Sequence, residues 1–354
     1  MKRVIVWVAV LCMVATSAYA SEWKFYGSAR VHTMYQKVEN QSGSIDNTNF
    51  SEALQTNSRI GANVKVNDAL TGGFEYGAGN GVANVRRLYG EWNFGGGSLL
   101  VGREWTPLNI AYSNQVYGNA ALGYDAALDG IGDTTGYVGP MLRLSYGNFQ
   151  IAAVAPDLTY NTPGASSTQV MIPAIEVYYK IPMNNWNIQM AGGYQTFDVY
   201  NAANQTGQSF SVDSYTGAVG VDVTLQAFTL AGIVHAGQNE GNLIDILPID
   251  AGTTFAGYSS FATGTIVDNE SYGFNLIATY TANEMFKFET GYGYIKTKYD
   301  TSTAAKDDAK SYYLQSVITL APGVTITPEI GRIDFKQATQ DQITYAAVKW
   351  QLDF

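Results

Sequence analysis

The chain of 354 residues sets 20 Lys and Arg against 30 Asp and Glu, a formal net charge of -10, and so acidic a chain is a poor partner for nucleic acid. One cysteine, Cys12, and two histidines exclude a disulfide framework and leave little for thiol or metal chemistry. Hydrophobic residues at 46% beside 14% charged, with Gly 37 and Tyr 25, fit neither spanning helices nor an ordinary soluble surface; tyrosine, apolar at one end and hydrogen-bonding at the other, suits a membrane boundary.

In chain order, Lys2 and Arg3 precede an apolar run over 4–14, and Ala18-Tyr19-Ala20 precedes the polar Ser21. This is the pattern of a secretory signal with an A-x-A cleavage site, so residues 1–20 are set apart and the mature chain is expected to start at Ser21. Removing those two cations takes the net charge from -10 to -12. Cys12 lies inside the signal and follows Leu11, too large for a lipid-attachment site.

After residue 20 no window holds the ~18 consecutive apolar residues of a spanning helix. Runs of about ten residues with a period of two recur instead. Ile60, Ala62, Val64 and Val66 alternate with Arg59, Asn63 and Lys65; Leu88, Gly90, Trp92 and Phe94 alternate with Arg87, Tyr89, Glu91 and Asn93. Similar runs follow Lys24, flank Glu75, cross 99, 142–146 and 149, and continue through 175–181, 186–194, 215–225, 228–236, 272–280, 286–294, 312–320 and 324–330. The last, Thr344 to Phe354, ends on an aromatic residue. The tally is about sixteen, the even number a closed antiparallel membrane barrel favours.

Connections alternate as well. Short turns fall at 67–70, 95–97, 147–148, 182–185, 226–227, 282–285 and 322–323, and long polar ones at 37–56, 105–137, 156–168, 199–212, 238–269 and 299–310. Hydrocarbon offers no partner to a backbone amide, so strands can cross it only as a closed barrel. The expectation is therefore an all-β, transmembrane antiparallel β-barrel over 21–354, with alternate side chains facing lipid and lumen. A soluble β-sandwich or β-helix would also alternate, but explains neither the alternation of loop lengths nor the outward aromatic rows.

Phe25-Tyr26-Gly27, Ser58-Arg59-Ile60-Gly61, Arg87-Leu88, Leu99-Leu100-Val101-Gly102-Arg103 with Thr106-Pro107, and the terminal Phe354 resemble the Gram-negative general-diffusion porins. The resemblance implies an outer-membrane homotrimer of sixteen-stranded barrels, each narrowed by its third external loop, here about 105–137, folded inward. It implies acidic loop residues, Asp125, Asp129 and Asp133, facing a ladder of wall arginines, Arg59, Arg87 and Arg143. The family's basic residue on the first strand is unmatched, since Ser28 stands there, with Arg30 and His32 nearby on the same face. Arg103, Glu75, Glu91 and Tyr89 are further lumen candidates. Trp350, Leu352 and Phe354 match the signal read by the barrel-assembly machinery.

The function expected from this resemblance is passive diffusion of small hydrophilic solutes and ions through a water-filled lumen, with weak cation preference from the acidic excess. Opposite charges across a narrow opening act because the Debye length, about 8 Å at physiological salt, is comparable with its width. Outer-membrane lipid, including lipopolysaccharide bridged by cations, is the expected surroundings. A substrate-specific channel for sugars or anions would use inward tyrosines such as Tyr89, Tyr178, Tyr313 and Tyr345. A plugged surface-structural or adhesive barrel would use the long segment 238–269. A barrel enzyme would need a nucleophile beside His235, and no adjacent serine motif accompanies it. No cofactor is expected, and no metal either, because 46–49 and 245–250 lack the spacing of a calcium loop.

Overall fold

The computed structural model describes residues 21–39, 47–79, 82–117, 128–134, 138–160, 166–201, 209–246, 257–262, 265–300, 306–335 and 342–354. The expected signal, 1–20, lies outside the described residues. The strands are β1 (Glu22–Glu39), β2 (Asn47–Leu54), β3 (Arg59–Lys65), β4 (Leu70–Gly79), β5 (Val82–Asn93), β6 (Ser98–Trp105), β7 (Val138–Tyr146), β8 (Phe149–Val154), β9 (Ser166–Gln169) and β10 (Ala174–Met183). They continue as β11 (Trp186–Asn201), β12 (Ser209–Leu225), β13 (Phe228–Gln238), β14 (Ser260–Ala262), β15 (Thr265–Val267), β16 (Asn269–Thr281), β17 (Phe286–Tyr299), β18 (Lys306–Ala321), β19 (Val324–Phe335) and β20 (Gln342–Asp353).

Eighteen strands share one antiparallel sheet, and β14 with β15 forms a separate hairpin. Along β1, residues 22–28 pair with β3 and 31–38 with β2, so those two act as one stave. Likewise β9 and β10 follow each other along β11, which leaves sixteen staves. β20 pairs with β1 and closes the ring. Phe354 completes the seam: its N–H donates to the Gly27 carbonyl at 3.0 Å, and its own carbonyl accepts from Gly27 N–H at 2.6 Å. A Cβ on Gly27 would strike the Phe354 ring.

Outward side chains such as Phe25, Ile60, Leu88, Val101, Leu142, Val234, Leu276 and Ile330 are each more than half exposed. Leaving that much apolar surface in water would forgo roughly 1.5–3 kcal/mol per side chain; hydrocarbon accepts it, and a closed ring leaves no unpaired edge. Aromatics gather towards the short-turn end, where Trp92 meets Phe94 at 5.5 Å, Phe94 meets Tyr146 at 5.7 Å and Phe228 stacks on Tyr280 at 4.6 Å. The turns there are built locally: the Asn67 carboxamide oxygen accepts from the N–H groups of Ala69 and Leu70, and Asn283 does the same for Met285 and Phe286, all at 2.9 Å, an Asx turn. Among the described residues, no helix is long and apolar enough to cross a membrane.

At the opposite end the strands outrun the alternating pattern. The connections expected over 37–56, 199–212 and 299–310 contain β2, the end of β11 with the start of β12, and the start of β18. Beyond the bilayer both faces of a strand meet water, so the two-residue period fades while the backbone ladder continues.

Candidate pore lining and its inner segment

The inward faces of β1, β3, β5 and β7 carry Arg30, Arg59, Arg87 and Arg143. One further arginine joins them through a bulge. The β4–β5 register shifts between Glu75 and Tyr76, so Arg86 and Arg87, which strict alternation would send to opposite faces, both reach inward carboxylates. Arg86 Nε donates to Glu75 Oε1 at 2.7 Å, and Arg87 Nε donates to Glu104 Oε2 at 2.8 Å. Arg59 lies 3.5 Å from Glu75 Oε2, which also accepts the Tyr26 hydroxyl at 3.0 Å. Arg143 Nη1 donates to the Trp105 carbonyl at 3.1 Å, and Arg30 Nε to Ser28 Oγ at 2.9 Å.

Exposure separates the two signs of charge. The side chains of Arg59, Arg86 and Arg87 are 29%, 14% and 27% exposed, those of Glu75 and Glu104 only 5% and 6%. The carboxylates lie beneath and the guanidinium groups present the charge. Tyr89 carries the Arg87 guanidinium 5.4 Å above its ring, and Glu91 accepts from Ser98 Oγ at 2.6 Å.

Residues 106–117, which follow β6, hydrogen-bond to a different set of staves. Leu108 N–H donates to Glu176 Oε2 on β10 at 3.2 Å. Asn114 gives its backbone N–H and its Nδ2 to the two oxygens of Glu289 on β17, both at 2.8 Å. Val116 and Tyr117 give their N–H groups to the two oxygens of Glu329 on β19, at 2.7 and 2.9 Å. Each carboxylate is flanked in sequence by outward residues, as in Ile175-Glu176-Val177, and is buried. A carboxylate that accepts two amides in a dry setting is itself satisfied and fixes its donors.

Three of the four tyrosines expected to contact sugars, Tyr178, Tyr313 and Tyr345, belong to the same scaffold. Tyr313 donates to Glu289 at 2.7 Å and meets Ser113 Oγ at 2.7 Å; Tyr345 donates to Glu329 at 2.9 Å and accepts from Gln115 Nε2 at 2.9 Å. Tyr178 donates to Gln189 at 2.7 Å, and Gln189 donates to Tyr112 at 2.9 Å. Residues 128–134 pack beside this strip: a Cβ on Gly293 would run into the Ile131 carbonyl oxygen, and one on Gly273 would come within 2.9 Å of Gly132 Cα. Thr134 Oγ1 donates to the Leu108 carbonyl at 2.7 Å and accepts Ile110 N–H at 3.2 Å, tying the two strips together.

The three loop aspartates fare differently. Asp133 is buried, Asp129 lies in the 3-10 turn Leu128–Gly130, and Asp125 lies outside the described residues. The lumen placement expected for Arg103 is corrected. It pairs with Leu88 and Pro140, both exposed on the outward face, and residues directly opposite each other on paired strands share a face. Trp350, Leu352 and Phe354 are outward and exposed. His32 stands opposite Lys349.

His235 Nδ1 lies 3.2 Å from both oxygens of Glu240, which also accepts Ser271 Oγ at 2.5 Å and Thr216 Oγ1. Above the barrel, Asp157 accepts Thr159 Oγ1 at 2.6 Å and Tyr258 at 3.3 Å. Among the described residues, no group of three or more His, Cys, Asp and Glu is arranged to hold a metal. Sequence alternation missed Arg86, Glu104, Glu176, Glu289 and Glu329. For the last three the signal is a lone glutamate at an inward position of a long strand.

A family profile described as Gram-negative porin matches residues 8–338. The chain belongs to the Gram-negative porin family. Its fold is similar to the outer membrane channel DcaP of Acinetobacter baumannii, with 14% identity, 94% of this chain and 97% of that one covered, and a TM-score of 0.75. It is similar also to the anion-selective porin from Comamonas acidovorans, with 12% identity, coverage of 94% and 100%, and a TM-score of 0.62. The trimer form of OmpT from Vibrio cholerae matches with 16% identity, coverage of 94% and 99%, and a TM-score of 0.58. None of the curated proteins matches. This porin is an outer-membrane channel for passive diffusion, in a family and fold whose members are generally channels rather than enzymes.

Proposed function

We propose that this porin passes small hydrophilic solutes through a lumen constricted between the segment 105–137 and the arginine wall, and that the constriction favours anions. The observation that carries the reading is the asymmetry of charge. Arg30, Arg59, Arg86, Arg87 and Arg143 share one wall with two covered carboxylates, Glu75 and Glu104. The carboxylates of the other wall, Glu176, Glu289 and Glu329, are buried and engaged by amides of the segment.

The cation preference expected from net charge counts acids wherever they sit, whereas a passing ion responds to those within about a Debye length. Among the described residues of the arginine wall, guanidinium dominates. The anion-selective character of the Comamonas porin, a fold relative, accords with this sign. Assembly as a homotrimer is proposed from the trimer form of the Vibrio relative, and targeting through Trp350, Leu352 and Phe354 from the family resemblance.

Deletion of residues 110–132 tests the constriction. Single-channel current per monomer in planar bilayers is expected to rise severalfold, and the preference for chloride to weaken as the opening widens. Unchanged conductance in a folded, inserted barrel would remove the segment from the ion path.

A further inference from the structure

The sixth external connection, 238–269, starts by turning into the lumen. Asn239 makes the turn: its backbone is left-handed, φ 50°, and its carboxamide accepts Asn269 N–H and donates to Asp268 Oδ1 and to the Asp213 carbonyl, all at 2.8 Å. The 3-10 turn that follows, Glu240–Asn242, is buried. Glu240 accepts the hydroxyls of Thr216 and Ser271 and faces His235 Nδ1, so inward residues of β12, β16 and β13 all hold it. Gly237 leaves it room, since a Cβ there would come within 2.8 Å of Glu240 Cγ. Asn242 accepts Ser214 Oγ at 3.0 Å and donates to the Thr159 carbonyl at 2.8 Å, which ties the turn to the fourth connection.

The strands beneath carry two layers. On β12, Ser214 and Thr216 hold 240–242, and the next inward positions towards the short turn, Ala218 and Gly220, receive Ile110 and Tyr112. On β11 the layers meet: a Cβ on Gly193 would come within 2.8 Å of Leu108 and 3.5 Å of Leu243. Two residues of strand rise about 7 Å, so 239–246 stands one layer above 106–117. In a ring of sixteen staves β12 is eight from β3, and the outer layer therefore projects from the wall that faces Arg59. Within 239–246 only Asp245 is exposed. We propose that 239–246 is a second size filter, in series above the constriction, which screens uncharged solutes before they reach the arginines. Freeing a buried carboxylate from two hydroxyls would leave all three groups unpaired, a cost that makes the layer a fixed rim and not a lid. The inference goes beyond the proposed constriction and needs only the open lumen of a diffusion channel.

The test is swelling of liposomes that hold the porin, with arabinose, sucrose and raffinose as probes. One variant replaces 240–268 by a four-residue Gly-Ser turn, joining β13 to β16 beside the pair Gln238 and Glu270. Its raffinose-to-arabinose rate ratio should rise at least fivefold. An Asn242→Ala, Leu243→Ala double variant loosens the layer without changing charge; the ratio should rise about twofold while the reversal potential in a potassium chloride gradient stays where it was. Asp245→Cys gives the mature chain a unique thiol, because Cys12 lies in the expected signal. A bulky uncharged maleimide on it should lower sucrose uptake severalfold and arabinose uptake much less. Wild-type ratios in a turn variant whose heat-resistant gel mobility shows a folded barrel would overturn the proposal. So would a label at 245 that leaves sucrose uptake unchanged, and that result decides the matter even where the turn variant does not fold. The 110–132 deletion is scored separately: if it leaves conductance unchanged while the turn variant admits raffinose, the inner constriction fails and the outer filter stands.

Discussion

Replacing Arg86 by glutamine removes a guanidinium that reaches the lumen only because of the bulge opposite Glu75, and it spares Arg59 to cover that carboxylate at 3.5 Å. Its size follows from Coulomb's law. A unit charge about 5 Å from a passing ion is worth about 0.8 kcal/mol in water, and screening over a Debye length of ~10 Å at 0.1 M salt reduces this to about 0.5 kcal/mol. Chloride loses that stabilisation while potassium gains it, so the chloride-to-potassium permeability ratio should fall about fivefold. Glu75→Gln removes a negative charge at the same place and should raise the ratio by a similar factor. The assay is the reversal potential of single channels under a tenfold potassium chloride gradient near 0.1 M. Both shifts should shrink at 1 M, where the Debye length is about 3 Å. Identical reversal potentials for wild type and both variants would refute the assignment of Arg86 and Glu75 to the ion path. A wild-type channel that prefers potassium would refute the proposed sign.

Glu329→Ala strips the acceptor from the amides of Val116 and Tyr117; at roughly 1.5–3 kcal/mol for a hydrogen bond to a charged group, the segment should loosen. Faster amide exchange at 116–117 and noisier open-channel current are expected, and quiet current with unchanged exchange would count against the anchor. Gly293→Val places a branched side chain where the Ile131 carbonyl now lies, so exchange over 128–134 should quicken while β17 stays protected.

The barrel was legible because a lipid-facing strand obeys a single rule. Every second residue from Thr344 to Leu352 meets hydrocarbon or lumen, so alternation alone gives the strand, its faces and the need for a closing partner, and β1 is that partner. Above the bilayer the rule lapses. In Lys306-Asp307-Asp308-Ala309-Lys310 both faces are polar, which hid the start of β18 although its pairing with β17 continues through that stretch.

The pore lining was legible only as far as the parity held. Arg59, Arg87 and Arg143 obey it, and Arg103 fails because its register puts it with Leu88. Arg86 fails in the other direction, since the shift between Glu75 and Tyr76 changes parity within one strand. A local doublet such as Arg86-Arg87 cannot reveal a bulge that belongs to the pairing of two strands. The carboxylates posed a different problem, because sign and parity say where a side chain points and not what covers it. Glu176 and Glu75 are both inward acids; one is engaged by a backbone amide of residue 108 and the other by two arginines. Those partners come from segments distant in sequence, so net charge gave the expected preference for cations, while the partly exposed guanidinium groups of Arg59, Arg86 and Arg87 are the ground of the opposite proposal.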